Sequence, residues 1–238
     1  GTKVVRTDLD ILDSTYFQYY SPEHVLETVV VAEGKDPLYF VTETVNENPS
    51  GSAVNVTYLT TNGADSEHWN VKLVYVDGIP TMYIKNLTLN NRIGLVFGGT
   101  LADYRMGDKA SVYGDTDLNV VVMGNQGSTI SKVEDTGEVY NNSHYYQHPA
   151  MNFLTTGKTT ITSVDGAQLT LYSDNQLGTN GATIMARGDL VLQNANIVMS
   201  GTSAWSEPDF CISVLGGDLV VSGGNLSIVN NSHVSRFF

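Results

Sequence analysis

The chain has 238 residues, 41% of them hydrophobic and 16% charged, which is enough apolar content to bury a sizeable core. Twelve Lys and Arg against 25 Asp and Glu leave a formal charge of -13, with no local basic patch, and so disfavour nucleic acid or an anionic membrane as partner. A single cysteine, Cys211, excludes an intrachain disulfide and a cysteine-rich zinc site, and no apolar run reaches the roughly 18 residues needed for a membrane-spanning helix.

The N-terminal "GTKVVRTDLD" lacks the basic and apolar regions of a signal peptide, as the mature form of an exported chain also does. In "YSPEHVLETVVVAEG" a short helix is expected to begin at Ser21 and Pro22, with proline suited to the first helical turn. The β-branched run Val29 to Val31 then argues for a strand. "PLYFVTETV", "SAVNVTYLTT" and "WNVKLVYVDG" read as strands, with Trp69 a packing residue near a strand start. Residues 1–80 are therefore expected to form irregular β-rich early coils or a cap within one continuous domain, because an uncapped stack of strands exposes pairing edges.

From residue 81 onward a pattern recurs. "GDLVLQNANIVMSG" and "GDLVVSGGNLSIVNNS" superpose at a fixed offset, placing Leu190 and Leu192 on Leu219 and Val221. The same Leu-x-apolar pair occurs at Leu87/Leu89, Leu118/Val120 and Leu169/Leu171, with uneven steps between anchors. The shortest step, Leu169 to Leu190, reads as a bare unit, the longer steps as units with loop excursions, and "GKTTITSV", with Ile161 and Val164, as an unmarked copy. At a matching place after the anchor stand Asn175, Asn196 and Asn225, so each unit reads strand, Asn-containing turn, strand. "GNQGST" at Gly124 is a turn between two strands. Strands this short, joined by turns, do not form βαβ units. The expected fold is all-β, a right-handed parallel β-helix of three-sided coils spanning residues 81–238, with the N-terminal region as its cap. An antiparallel β-sandwich is the alternative.

Two sets of residues are candidates for chemistry. Asp189 and Asp218 each precede an anchor leucine, as does Asp117, so the first two should be stacked on neighbouring coils. Carboxylates about 5 Å apart repel, and they diverge, accept hydrogen bonds from turn amides, or share a cation, for which calcium suits oxygen ligands. Aromatic residues gather in the excursions: Tyr140, His144, Tyr145 and Tyr146 in "EVYNNSHYYQHP", Trp205 and Phe210 in "TSAWSEPDF". Rings presented from loops can stack on sugar faces or pack back onto the body. Catalytic patterns are missing: there is no Asp-Asp or Gly-His-Gly segment, no nucleophile elbow, and His144 and His148 lack the intervening Glu of a zinc-protease helix.

The segments "ATIMARGDLVLQNANIVMSG" and "CISVLGGDLVVSGGNLSIVNNS" resemble the rungs of secreted bacterial right-handed parallel β-helix proteins of the carbohydrate-binding type, over roughly residues 82–232. That resemblance implies a pectate-lyase-like architecture without catalysis, calcium in some members and no other cofactor. It also implies extracellular or bacterial cell-surface location, with adhesion or glycan binding as function. A structural or host protein-interaction module, and a polysaccharide lyase or hydrolase, are the alternatives.

Overall fold

The computed structural model describes residues 14–48, 51, 53–91, 93–99, 114–132, 149–174, 182–202, 209–230 and 235–236. The chain is all-β, with no helix among the described residues, and its strands lie in two large mixed sheets.

The first six strands pair antiparallel along the chain. β1 (Ser14–Tyr20) and β2 (Leu26–Ala32) form a hairpin in which Tyr20 faces Leu26. The helix expected at Ser21 and Pro22 is absent. Ser21 N donates to Val25 O at 3.0 Å, His24 N donates to Ser21 O at 3.0 Å, and His24 takes a φ of 60°, so the segment turns the chain back. The hairpin buries Phe17, Tyr19 and Val31, and that burial overrides the local helix signal. β3 (Leu38–Glu47) pairs with β4 (Val54–Thr60) and β5 (Val71–Val76), the three strands expected from sequence. β5 turns through Asp77 and Gly78, both at positive φ, into β6 (Ile79–Lys85), where Val76 faces Ile79. This is the two-residue turn that an Asp-Gly pair favours.

At β6 the pairing changes: one edge is antiparallel to β5, and the other is parallel to a strand much further along the chain. The later strands are β7 (Thr88–Asn91), β8 (Leu95–Gly99), β9 (Leu118–Met123), β10 (Ser128–Lys132), β11 (Met151–Phe153) and β12 (Thr159–Ser163). They continue with β13 (Gln168–Asp174), β14 (Ala182–Ala186), β15 (Leu190–Thr202), β16 (Asp209–Val214), β17 (Leu219–Asn230) and β18 (Ser235–Arg236). Apart from contacts of β7 and β8 with the antiparallel strands, their pairings are all parallel, which is not the pairing of the sandwich alternative.

Three parallel ladders result. One aligns Met82, Val120, Ile161, Leu192 and Val221, through β6, β9, β12 and the first halves of β15 and β17. The second aligns Leu89, Ile130, Leu171, Met199 and Ile228, through β7, β10, β13 and the second halves of β15 and β17. The third aligns Leu95, Met151, Ile184 and Ile212, through β8, β11, β14 and β16. From β6 onward the chain visits the ladders in strict rotation. Alternate side chains point inward, and these columns up to β16, together with Phe17 and Phe40 from the hairpins, make one continuous apolar core, with Ile228 packed on it and Val221 exposed. Cys211, in β16, is buried.

The Leu190–Leu219 register is the one read from the sequence, and Ile161 fills the unmarked position. Two of the five anchors are displaced. Leu169 and Leu171 pair with Ile197 and Met199, and Leu89 stands in the same ladder, so these leucines occupy the second strand of a unit rather than the first. The short step from Leu169 to Leu190 therefore joins different ladders, and it is Met199 that follows Leu171 within one ladder. Both strands of a unit carry the same alternation, so Leu-x-Leu alone does not distinguish them. Val164 is exposed in the following turn. Gln168 rather than Asn175 pairs with Asn196, and Asn225 follows, while Asn196 Nδ2 donates along the column to Gly166 O at 2.8 Å. Asn175 lies outside the described residues.

Candidate functional site

Tyr140, His144, Tyr145, Tyr146 and Trp205 lie outside the described residues. Phe210, expected in a loop excursion, stands instead in strand β16, paired with Ala182.

Asp189 and Asp218 are neighbours across the β15–β17 ladder, as expected from their places before Leu190 and Leu219. Asp189 Oδ1 accepts a hydrogen bond from Asp218 N at 2.8 Å, so of the three fates open to these carboxylates it takes the turn amide. Asp117 does the same two steps earlier, accepting from Lys158 N at 2.8 Å, and the Lys158 ammonium stands 4.0 Å from its other oxygen. The column reads Asp117, Lys158, Asp189, Asp218, so a lysine interrupts the acidic row and moderates its repulsion. Among the described residues no group of three or more metal-ligating side chains comes together.

A different cluster occupies the outer face of β5 and β6. With Phe40, Val71, Leu73, Met82 and Ile84 buried, the alternate residues Tyr39, Lys72 and Tyr83 project outward in one row across three strands. Trp69 leads into β5 beside them, and all four are half-buried. Lys72 Nζ lies 4.4 Å from the centre of the Tyr83 ring and 5.3 Å from that of Trp69, and Lys85 Nζ lies 4.0 Å above Trp69. Two ammonium groups thus share one indole, each attracted by the negative ring face.

The surrounding backbone holds this cluster in place. Asn70 N donates to Phe40 O at 2.8 Å, Lys85 N donates to Asn70 O at 2.8 Å, and Asn70 Oδ1 accepts from Thr42 N at 3.2 Å. Asn70 Nδ2 donates to the carbonyls of Lys85 and Asn86, both at 3.2 Å. One residue therefore ties β3 to the end of β6 directly beside Trp69. On the other side, Asp65 Oδ1 accepts from Glu67 N and His68 N, each at 2.8 Å, fixing the loop into Trp69. Those backbone amides, with the His68 ring, hold the exposed Asp65 carboxyl below its ordinary range.

Sequence reading treats Trp69 as packing and passes over Tyr39, Lys72, Tyr83 and Lys85. The signal was present: an Asp-Gly turn at Asp77 and Gly78 sets Lys72 opposite Tyr83, on the face away from Val71, Leu73, Met82 and Ile84.

A second polar group lies near the β1–β2 turn. His24 Nε2 is 3.0 Å from Glu47 Oε1, and the same oxygen accepts from the Tyr58 hydroxyl. The rings of Tyr20, His24 and Tyr58 pack with centroids 5.5 to 6.2 Å apart over a small separate core containing Ile93, Val96 and Leu154. The group braces the loop between β1 and β2.

Comparison of the chain with family models of known proteins, with curated proteins and with solved structures returns no match.

Proposed function

We propose that this chain is a non-catalytic glycan-binding module of an exported bacterial surface or secreted protein, wound as a right-handed parallel β-helix. Its binding platform is the outer face of β5 and β6. The rotation of successive strands through three ladders, with inward aliphatic columns, supports the winding. The observation that carries the function is the group of Trp69, Lys72, Tyr83 and Lys85: half-buried rings on an outward face, held by backbone clamps and flanked by two ammonium groups.

Rings of this kind stack on the apolar faces of sugars. Paired lysines in a chain of formal charge -13 recognise a carboxylate or sulfate on the same ligand. The ligand class is therefore an acidic glycan, such as a uronate-containing, sialylated or sulfated saccharide. The aromatic segments around Tyr145 and Trp205 remain further candidate glycan contacts in this reading, and adhesion is its biological outcome.

A panel of acidic and neutral glycans tests it. Acidic members bind, binding weakens as salt rises, and the Lys72→Glu/Lys85→Glu and Trp69→Ala variants each lose about tenfold or more, which corresponds to at least ~1.4 kcal/mol. Equal binding of neutral and acidic glycans, or variants that bind like the wild type, would overturn the platform. Release of unsaturated sugars or new reducing ends would overturn the non-catalytic reading.

A further inference from the structure

The last long strand, β17, pairs along one edge with β15 from Leu219 to Asn230, and its other edge pairs with no strand among the described residues. Leu219, Val221, Leu226 and Ile228 continue the inward columns of Leu190, Leu192, Ile197 and Met199, yet nothing described lies over them, and Val221 is 51% exposed. On the outward side Val220 is 45% and Val229 50% exposed. Free edges are ordinarily blunted by charge, proline or brevity. β17 is long, "LVVSGGNLSIVN", with no charged residue and no proline, in a chain of formal charge -13.

The order of residues in this strand points to its occupant. Gly223 and Gly224, at φ 73° and 77°, form a corner between the two ladders, and the residues on either side of it mirror one another. In an antiparallel pairing of β17 with an identical strand, Val220 faces Val229, Val221 faces Ile228 and Ser222 faces Ser227. Inward residues meet inward ones and outward residues meet outward ones, because the alternation restarts at the corner. A two-fold axis beside the corner, between Gly224 and Asn225, exchanges the two ladders and reverses the chain, which is the operation that an isologous contact requires.

We propose that this chain associates with a second copy of itself through antiparallel β17–β17 pairing about the Gly223–Gly224 corner, so that each copy covers the β17 edge of the other. Main-chain hydrogen bonds along the edge hold the pair, and the matched valines, isoleucine and serines set its register. The inference does not depend on the glycan reading.

Analytical ultracentrifugation from micromolar concentration upward tests it with three proteins. The wild type reversibly forms a dimer. Val220→Lys/Val229→Lys sets lysine against lysine in the new contact and is a monomer throughout. Val220→Lys/Val229→Glu sets lysine against glutamate and restores the dimer. Both variants alter the same two exposed positions, so any burden on the monomer fold is shared, and thermal melts of each check it. A wild type that stays monomeric, a doubly lysine variant that still dimerises, or a lysine–glutamate variant no better than the lysine–lysine one would each overturn the proposal.

Discussion

Replacing Gly188 by alanine tests the stacking of one chain segment on another. Thr159 pairs with Leu190, which sets Gly188 directly against the Thr156–Gly157 backbone. A Cβ on Gly188 would stand 2.1 Å from Gly157 O, 2.4 Å from Thr156 O and 2.6 Å from Thr156 C, where ordinary contact begins at 3.4 Å. The φ of Gly188 is not in the left-handed region, so alanine meets no dihedral penalty and the whole cost is steric. All three opposing atoms are backbone and cannot rotate away. Separating the segments also strains the hydrogen bond from Thr159 N to Asp189 O, 2.8 Å in length. Overpacking of about 1–3 kcal/mol and the weakening of a buried backbone bond worth about 1 kcal/mol sum to about 3 kcal/mol. For a chain of this size that lowers Tm by about 6–12 °C. Gly166→Ala is the control: its φ is +71° and no heavy atom lies within 4 Å of the added Cβ, leaving only a left-handed backbone cost of about 1–2 kcal/mol. Differential scanning calorimetry of both variants decides the matter. A Gly188→Ala protein that melts as high as Gly166→Ala would refute the close approach of these segments.

Leu192→Ala empties a buried position in the middle of an inward column and is expected to cost about 2–5 kcal/mol, read by urea unfolding. Burial pushes the phenols of Tyr16 and Tyr19 up to about 12, with Glu27 and Glu23 adding to the effect at Tyr19. Their folded values lie above the ordinary 10.0, so this contribution to stability is complete below pH 10 and is lost as pH rises from 10 towards 12. Phenolate absorbance of the folded protein should show a late-titrating component that diminishes in Tyr16→Phe and Tyr19→Phe. Asp189→Asn keeps an acceptor for Asp218 N and should melt near the wild type, whereas Asp189→Ala loses that bond and about 1 kcal/mol. Added calcium should leave all three melting points unchanged, because the carboxylate's role is to hold an amide.

How much of this was legible depends on which residues carried a unique signal. The offset between the two "GDL" segments set the Leu190–Leu219 register because they mark the same corner twice. Leu169 carried only the Leu-x-Leu alternation, common to both strands of a unit, and was assigned to the wrong ladder. Ser21 and Pro22 illustrate tertiary override: a plausible helix start became a turn once Phe17 and Val31 had a core to enter. The Trp69 platform was missed for a different reason. Trp69, Lys72, Tyr83 and Lys85 all belong to the β5–β6 hairpin, but which of its two faces is buried follows only once β3 is placed beside β5. The β17 mirror was readable as letters, but it acquired meaning only when one edge of that strand was seen to be unpaired among the described residues.

The ladders have a practical consequence for the way such a body varies. Leu89 and Ile130 are adjacent although β8 and β9 intervene along the chain, and Leu171 and Met199 are equally adjacent across a shorter path. Register is therefore indifferent to how much chain departs between one strand and the next. Segments at those departures can be lengthened, shortened or exchanged for foreign sequence without disturbing the aliphatic interior, which makes this body a natural frame for grafted recognition loops.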